Sequence, residues 1–270
     1  MLIERRHGID AEVAERDGTG EGFRVAQRLF PRPMQAELAV AGGMARYFGP
    51  ESPMNEAGYL GLDAPNSDDD VERITAFFLE RGVPPRAMVS ALSDLSLPQR
   101  VAAHGYVPID HQNVLLGDLR DLEGARDPRI RVARDIRAWA QAGAEANASG
   151  APLDDGASVV GRTVGSTPGV TALEAVVDGR VAAIGAAGTN AAMAGLFFGS
   201  TMPWARGRGL QLAMIRHRIK LLQESGAIYV RAAAAVASSS ERNFRRAGLE
   251  VAYTRTLWER RVAERSLSKA

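Results

Sequence analysis

Residues 201–211 read Thr-Met-Pro-Trp-Ala-Arg-Gly-Arg-Gly-Leu-Gln, a basic, glycine-rich turn that follows the apolar run Ala-Gly-Leu-Phe-Phe-Gly-Ser at 194–200. The apolar run predicts a buried strand. After the turn, apolar residues recur at the spacing of one helical face: Leu212, Ile215, Ile219 and Leu222. Strand, turn and helix in this order predict an α/β architecture organised around the turn.

The turn has the chemistry of a phosphate-binding site. Gly207 and Gly209 can adopt backbone angles that other residues avoid, and the first N–H groups of the helix have no partner inside it. Together with the helix dipole and the guanidinium groups of Arg206 and Arg208, these donors favour a phosphate dianion. A solvated turn is the alternative, because Gly and Arg also occur together in ordinary loops. The turn is not a Walker loop, since no Gly-Lys-Ser/Thr follows, and Gln211 breaks the Rossmann fingerprint.

The segments downstream extend this pattern. The helix ends near Gly226, residues 228–236 predict a strand, and Ser-Glu-Arg-Asn at 240–243 precedes Gly248-Leu249. With Pro203 and the Arg-Gly-x-Gly turn, this order resembles the GNAT superfamily of acyl-coenzyme A-dependent N-acetyltransferases over about half of the chain. The resemblance implies that acetyl-CoA, or another acyl-CoA, is the co-substrate.

The resemblance also assigns cofactor contacts. In that family the strand before the turn binds the pantetheine arm through its backbone, the turn holds the pyrophosphate, and the helix before the terminal glycine touches the cofactor. By position, these roles fall on Gly199, Ser200, Thr201 and Met202, on Arg206, Gly207, Arg208, Gly209, Leu210 and Gln211, and on Asn243 with Arg246.

The catalytic acid and base do not carry over from the family. Many GNAT enzymes have a Tyr four residues before the terminal glycine, where this chain has Phe244. Tyr229 and Tyr253 on neighbouring predicted strands are candidates for the acid, with core packing as the alternative. Glu174 alternates with apolar residues on one strand face and is a candidate base. An edge-strand Glu facing water is the alternative to that role, and solvent could serve as the base.

A weak internal repeat is present. Gly82 and Gly105 are 23 residues apart, and Gly226 and Gly248 are 22 apart, with a strand and then a helix between each pair in the same order. Equal order at nearly equal spacing indicates two copies of one α/β unit.

We therefore predict an α/β (α+β) fold of two GNAT-like lobes, residues 1–125 and 126–270, each a mixed, mostly antiparallel sheet flanked by helices. The second lobe is predicted to be complete and the first degenerate. Where the second has Arg-Gly-Arg-Gly, the first has Asn-Ser-Asp-Asp-Asp at 66–70, and these acids would repel a pyrophosphate.

Other elements follow from local patterns. Ser67 and the acids after it form a capping box that opens a helix, and Asp178-Gly179 predicts a hairpin turn. We further expect a strand around 22–30, a helix over 34–47, and a long loop over 149–168 that shapes the acceptor site.

Composition limits the function classes. There is no Cys, and the four His have no metal-ligand spacing, so no metal is expected. No run of 18 apolar residues and no N-terminal signal pattern appear, which predicts a soluble, cytoplasmic protein without a membrane segment. Residues 206–261 carry twelve Arg and Lys against four Asp and Glu, a net charge of +8. Such a field attracts a polyanion such as coenzyme A. Nucleic acid is not expected, because few aromatics are available to stack on bases.

The sequence therefore predicts an N-acyltransferase that moves an acetyl or other acyl group from acyl-CoA to an amine of a small molecule or peptide. The alternative is a non-catalytic acyl-CoA-binding regulatory or scaffold protein. A monomer or homodimer is expected.

Overall fold

The computed structural model describes residues 3–31, 35–50, 52–148, 155–190 and 193–261. The described helices are α1 (Arg5–Leu29), α2 (Asp68–Leu79), α3 (Leu97–Ala103), α4 (Ile136–Ala148), α5 (Asp155–Gly165), α6 (Leu210–Glu224) and α7 (Ser239–Arg246). The described strands are β1 (Ala36–Val40), β2 (Gly43–Tyr47), β3 (Glu56–Gly58), β4 (Arg86–Ser90), β5 (Tyr106–Asp118), β6 (Ile130–Val132), β7 (Val170–Val177), β8 (Arg180–Asn190), β9 (Met193–Thr201), β10 (Tyr229–Ala235) and β11 (Glu250–Arg260).

All of these strands join one mostly antiparallel sheet, in the order β1-β2-β3-β4-β11-β5-β10-β9-β8-β7-β6. The two parallel pairs are β3 with β4 and β9 with β10. Each parallel pair is connected by a helix, α2 in the first half of the chain and α6 in the second. The predicted mixed α/β fold with two similar halves is therefore confirmed.

The two halves exchange their last strands. β5, from the first half, pairs with β10, whereas β11, from the second half, pairs with β4. β5 and β11 also pair with each other at the centre of the sheet, where Gln112 is opposite Arg255. The predicted division of the chain at residue 125 falls in the connection from β5 to β6. That boundary stays a prediction, and the sheet crosses it through the exchanged strands.

Helices cover both faces of the sheet. On one face, α6 and α7 bury Ile215, Ile219 and Phe244 against β10, and α2 and α3 cover the first-half strands in the same layer. On the opposite face, α1 packs on the central strands through Ala11, and α4 packs on β7 and β8 through Trp139. The resulting arrangement is a sheet between two helical layers, typical of α/β domains.

Local signals placed several elements correctly. Ser67 caps α2: its hydroxyl accepts from the Asp70 amide at 3.1 Å, and the Asp70 carboxylate accepts from the Ser67 amide at 2.9 Å. Asp178 and Gly179, with φ of 52° and 74°, form the turn between β7 and β8.

Three predicted elements are wrong. Residues 22–30 belong mainly to α1 and not to a strand. Within 34–47, of which residue 34 lies outside the described residues, the chain forms the hairpin of β1 and β2, turning at Ala41 and Gly42 with φ of 51° and 74°. The expected loop at 149–168 contains α5, while residues 149–154 lie outside the described part. In each case, tertiary packing overrides the local pattern.

Candidate functional site

A groove opens where β9 and β10 separate. Their parallel pairing ends at Leu196 opposite Ala232, after which β9 remains paired only with β8 and β10 only with β5. At Phe198 the backbone has φ of 52°, and the register of β8 with β9 shifts beside it, between Ile184 and Ala186. The bulge turns β9 away from β10 and leaves one edge of β9 unpaired.

The open edge of β9 presents backbone groups to the groove. The Met202 amide donates to Ala182 of β8 at 2.9 Å. In an antiparallel pair the backbone groups of successive residues point alternately to the two edges of the strand, so those of Thr201 and Gly199 are directed toward the groove. The Ser200 hydroxyl donates to Asn147 Oδ1 of α4 at 2.9 Å. The four predicted strand residues therefore lie together along the groove.

The predicted phosphate turn lies at the outer end of this groove. Gly207 and Gly209 both have positive φ, 77° and 72°, and a Cβ at either position would contact nothing within 4 Å. Their role is therefore to permit the backbone conformation, while the space in front of them stays open. Gly209 is the N-cap of α6 and supplies no side-chain cap.

The backbone donors of the turn are unpartnered. The first amide of α6 to donate along the chain is that of Ala213, to Gly209 at 3.0 Å. Among the hydrogen bonds of the described residues, none uses an amide of residues 207–212 as donor. These amides, which include those of Leu210 and Gln211, lie at the positive end of a 15-residue helix. Such an end binds an anion through N–H donors and the helix dipole.

The two predicted arginines differ in placement. Arg206 folds back, donating from Nη2 to the Ala146 carbonyl of α4 at 3.1 Å and from Nε to the Thr201 carbonyl at 3.4 Å. Arg208 is exposed and lies 5.8 Å from the ring centroid of Trp204. Arg206 therefore ties α4 to the turn, whereas Arg208 is the cation that is available to a ligand.

Helix α7 borders the turn through a chain of polar contacts. Asn243 Nδ2 donates to Gln211 Oε1 at 2.6 Å, and Gln211 Nε2 donates to the Ser240 hydroxyl at 3.3 Å. Arg246 Nη1 in turn donates to Asn243 Oδ1 at 3.4 Å. Gln211 of α6 is thus brought beside Asn243 and Arg246 of α7.

A buried cation holds the bulge of β9. Arg218 of α6 is 2% exposed and donates from Nη1 to the carbonyls of Ala186 and Phe197, at 3.0 and 3.2 Å. Burial lowers the pKa of Arg218 to about 10. The sequence pattern did not single out this residue, because an Arg on a helix between apolar residues usually faces water.

The structure does not bring the two catalytic candidates together. Glu174 lies on β7, and its Oε1 accepts from Arg131 Nε of β6 at 2.8 Å. Tyr229 begins β10 opposite Met193, with its ring centroid 5.0 Å from that of His7. That position is three residues before the end of the β9–β10 pairing, or about 10 Å along the strand. Their catalytic roles stay predictions.

On the α1 face, a cavity of about 510 Å³ reaches the start of the groove. It lies between α1, α5 and the strands β8 to β10. Its β-sheet wall includes Gly195, Phe197 and Arg231, around the point where β9 and β10 separate. The α1 wall supplies Glu15, Asp17 and Glu21. The sequence does not predict this cavity, because the polar segment that forms α1 has no clear helical pattern.

Glu15 connects α1 to the two central strands. Its Oε2 lies 3.0 Å from Arg231 Nη1 of β10, and its Oε1 accepts from Arg255 Nη2 of β11 at 3.1 Å. Although burial alone would raise it, the charges of Arg231 and Arg255 lower the pKa of Glu15 to about 2. The neighbouring Glu12 is 1% exposed, and burial raises its pKa despite the charge of Arg255.

The corresponding turn of the first half is closed to a phosphate. Asp70 is occupied in capping α2, and Asp68 Oδ2 accepts from Arg100 Nη1 at 2.9 Å. The hydrogen bond from Arg100 contributes most to lowering the pKa of Asp68. Carboxylates therefore occupy the helix terminus where the second half offers free amides. Among the described residues, no group of three His, Cys, Asp or Glu side chains is arranged to hold a metal ion.

No family model matches the sequence, and no curated protein matches it. Solved structures do match the fold. A GCN5-related N-acetyltransferase from Kribbella flavida superposes with a TM-score of 0.66 at 15% identity, covering 90% of this chain and 96% of its own. A tandem GNAT protein from the clavulanic acid biosynthesis pathway, solved without AcCoA, gives 0.58 at 16% identity over 90% and 89% of the two chains.

An acetyltransferase of the GNAT family from Colwellia psychrerythraea has a TM-score of 0.51 at 13% identity, covering 83% of this chain and 84% of its own. At these identities the likeness concerns the fold. The chain therefore has the GNAT fold, and its similarity to a tandem GNAT protein along most of its length agrees with the two repeated halves.

Proposed function

We propose that this protein is an N-acyltransferase that uses acetyl-CoA or another acyl-CoA as donor and an amine as acceptor. The observation that carries the proposal is the row of unpartnered amides at residues 207–212, at the mouth of the groove between β9 and β10. A polyanion with a long, thin arm fits this combination, because the turn suits a pyrophosphate and the strand edge suits an amide-containing chain.

The donor binds with its pyrophosphate on the amides of the turn and near Arg208. Its pantetheine arm follows the unpaired edge of β9 along Gly199 and Thr201, by the same backbone pairing that adds a strand to a sheet. Gln211, Asn243 and Arg246 form the polar wall beside it. The thioester then reaches the inner end of the groove near Phe197.

The acceptor enters from the opposite face, through the cavity of about 510 Å³ that has Phe197 in its wall. A neutral amine there attacks the thioester carbonyl. The carbon–nitrogen bond forms, the carbon–sulfur bond breaks, and coenzyme A leaves as a thiol after taking up a proton. Backbone amides of β9 meet the developing oxyanion, and proximity supplies much of the rate.

Solvent serves as the proton acceptor in this scheme. The Glu174 carboxylate accepts a hydrogen bond from Arg131 Nε at 2.8 Å, and Tyr229 lies at the strand end away from the groove. The proposal does not depend on either side chain. Their predicted roles are tested by Glu174→Gln and Tyr229→Phe, either of which would reduce turnover at least tenfold if the residue takes part in proton transfer.

The alternative function, acyl-CoA binding without turnover, uses the same groove. Free-thiol release from acetyl-CoA distinguishes the two when it is measured with a panel of primary amines. The acyltransferase proposal expects release that depends on one class of amine and is lost in Arg208→Glu. Arg137→Glu, an exposed Arg on α4, is the matched control and should retain the activity. Binding of coenzyme A without release for any amine would favour the non-catalytic alternative, and absence of binding would overturn both.

A further inference from the structure

The first half of the chain has its own cavity on the α1 face, of about 160 Å³. It occupies the position equivalent to the acceptor cavity of the second half. Met44 pairs with Gly58 in its wall, as Gly188 pairs with Gly195 in the larger cavity. The two cavities flank α1 and share Glu15, Thr19 and Met54. Carboxylates close the start of α2, which corresponds to the phosphate turn, yet the first half of the chain keeps a cavity on the α1 face.

One carboxylate in this cavity has no counter-charge of its own. Glu56 of β3 lines the cavity, and its carboxylate has no hydrogen-bond or ion-pair partner in the described part of the chain. The neighbouring cations already have acidic partners. Arg46 is bound to Glu37 at 2.7 Å and Arg86 to Glu259 at 2.8 Å.

The carboxylates of Glu12, Glu15 and Glu56 form a central ion cluster with Arg231 and Arg255, in which both cations approach Glu15 and Arg255 also acts on Glu56. The other cation that acts on Glu56, Arg86, is paired with Glu259, so the cluster has one more carboxylate than it has cations. Burial raises the pKa of Glu56 to about 7 although the charge of Arg255 opposes this, so the carboxylate holds a proton more readily than an exposed one does. A bound organic cation could supply the positive charge instead.

The rest of the wall suits an organic ammonium. Met44, Pro53 and Met54 provide apolar surface, and the hydroxyls of Tyr59 and Thr19 lie 3.2 Å apart as hydrogen-bond partners. Tyr59 also has φ of 64°, a costly conformation for a residue with a side chain, and such strain concentrates at ligand sites. Tyr59 and Glu56 both line the cavity, and the face of an aromatic ring attracts an ammonium ion.

We propose that the first-half cavity is a binding site for a small alkylammonium ion, with Glu56 as its anionic anchor and Tyr59 and Thr19 as hydrogen-bond partners. The site is separate from the acceptor cavity and does not require acyl transfer. Glu15 belongs to both cavities, so a ligand in one contacts the same ion cluster that lines the other.

The test is calorimetric titration of n-butylammonium into the whole protein without coenzyme A. Glu56→Gln should weaken binding at least tenfold at pH 8, and the neutral isostere 1-butanol should not bind. Asp63→Asn, which removes an exposed charge from the same half of the chain, is the matched control and should bind as the unmodified protein does. Met44→Phe, which fills the cavity with an apolar side chain, should also abolish binding.

Binding should also depend on pH, because the ammonium ion competes with the proton on Glu56. The charged groups that face Glu56 are Glu12 and Glu15 of α1, Arg46 of β2, Arg86 of β4 and Arg255 of β11. The arginines stay charged between pH 6 and 8, and Glu15 stays ionised. Affinity should therefore fall about tenfold from pH 8 to pH 6 in the unmodified protein and stay constant in Glu56→Gln.

The proposal is overturned if Glu56→Gln and Met44→Phe bind n-butylammonium as tightly as the unmodified protein. It is equally overturned if the affinity is independent of pH. Failure of coenzyme A to bind would contradict the proposed acyltransferase function and leave this result unaffected, because the titration contains no acyl donor.

Discussion

The side-chain amide of Asn243 donates to the side-chain oxygen of Gln211 at 2.6 Å, which attaches α7 to the first turn of α6. The bond fixes Gln211, whose backbone amide belongs to the proposed phosphate site. Asn243→Ala should raise the dissociation constant for coenzyme A about fivefold, since a hydrogen bond of this kind contributes about 1 kcal/mol. Calorimetric titration measures the change. Ser239→Ala, in the same helix but exposed, is the control, and equal affinities in the two variants would contradict the assignment.

Removing the carboxylate of Glu15 should destabilise the fold. Glu15→Gln leaves Arg231 and Arg255, 13% and 8% exposed in their side chains, without their shared anion. Breaking a buried ion pair from one side costs about 3 kcal/mol or more. Urea unfolding at pH 7 measures the loss. Glu21→Gln, which breaks the exposed pair with Arg24, should change the free energy of unfolding by less than about 1 kcal/mol.

The Glu15 carboxylate also makes the free energy of unfolding depend on pH. The pKa of Glu15 is about 2 in the folded protein, below its ordinary value of 4.5. Its contribution is therefore complete above pH 4.5 and is lost as the pH falls through 2. Between these values the Glu15→Gln variant should show a shallower fall in the free energy of unfolding than the unmodified protein. Parallel curves would show that Glu15 is not held ionised by its partners.

Glu56 should have the opposite effect on the pH dependence of the free energy of unfolding. Burial raises its folded pKa to about 7 from 4.5, so the group favours the folded state below pH 4.5 and loses that contribution as the pH rises through 7. Glu56→Gln cannot ionise and should be about 3 kcal/mol more stable than the unmodified protein at pH 8. At pH 4 the two should be equal. Thermal unfolding of both proteins between pH 4 and pH 8 measures this difference in stability. A gain in stability that is the same at pH 4 and pH 8 would contradict the prediction.

Replacing either of two glycines that have open surroundings by alanine should change the free energy of unfolding, in opposite directions at the two positions. Gly18 lies within α1, and a Cβ there would contact nothing within 4 Å. Gly18→Ala should stabilise the protein by about 0.5–1 kcal/mol, because Gly is a poor helix residue. Gly209 has φ of 72° in equally open space, so Gly209→Ala should cost about 1 kcal/mol through the backbone alone. Urea unfolding of both variants measures the difference, and a loss at Gly18 would contradict it.

Features of the fold that depend on local signals were predictable in both halves of the chain. The phosphate turn depends on two glycines and the start of one helix, and α6 follows from the period of its apolar residues. The capping box at Ser67 and the turn at Asp178-Gly179 are equally local. These features need no distant part of the chain to specify them.

The α1 helix and the cavities beside it were not predictable in the same way. Glycines in α1 reduce its helical signal, yet two of them permit close packing: a Cβ at Gly8 would lie 2.6 Å from Leu92 Cδ1, and one at Gly20 would lie 2.9 Å from Arg46 Nη2. From the sequence alone, Glu15 would be expected to face solvent, because its partners Arg231 and Arg255 are more than two hundred residues away. The exchange of β5 and β11 likewise depends on pairing between distant strands and leaves no local pattern.

The central claim is that the turn at residues 206–211 holds the pyrophosphate of an acyl-CoA, and calorimetric titration of coenzyme A into Arg208→Glu tests it most directly. The change places a negative charge beside the unpartnered amides without removing any packed side chain, since Arg208 is exposed. We expect the dissociation constant to rise at least tenfold relative to Arg137→Glu, which carries the same charge change on α4. Equal affinity in the two variants would contradict the proposed site.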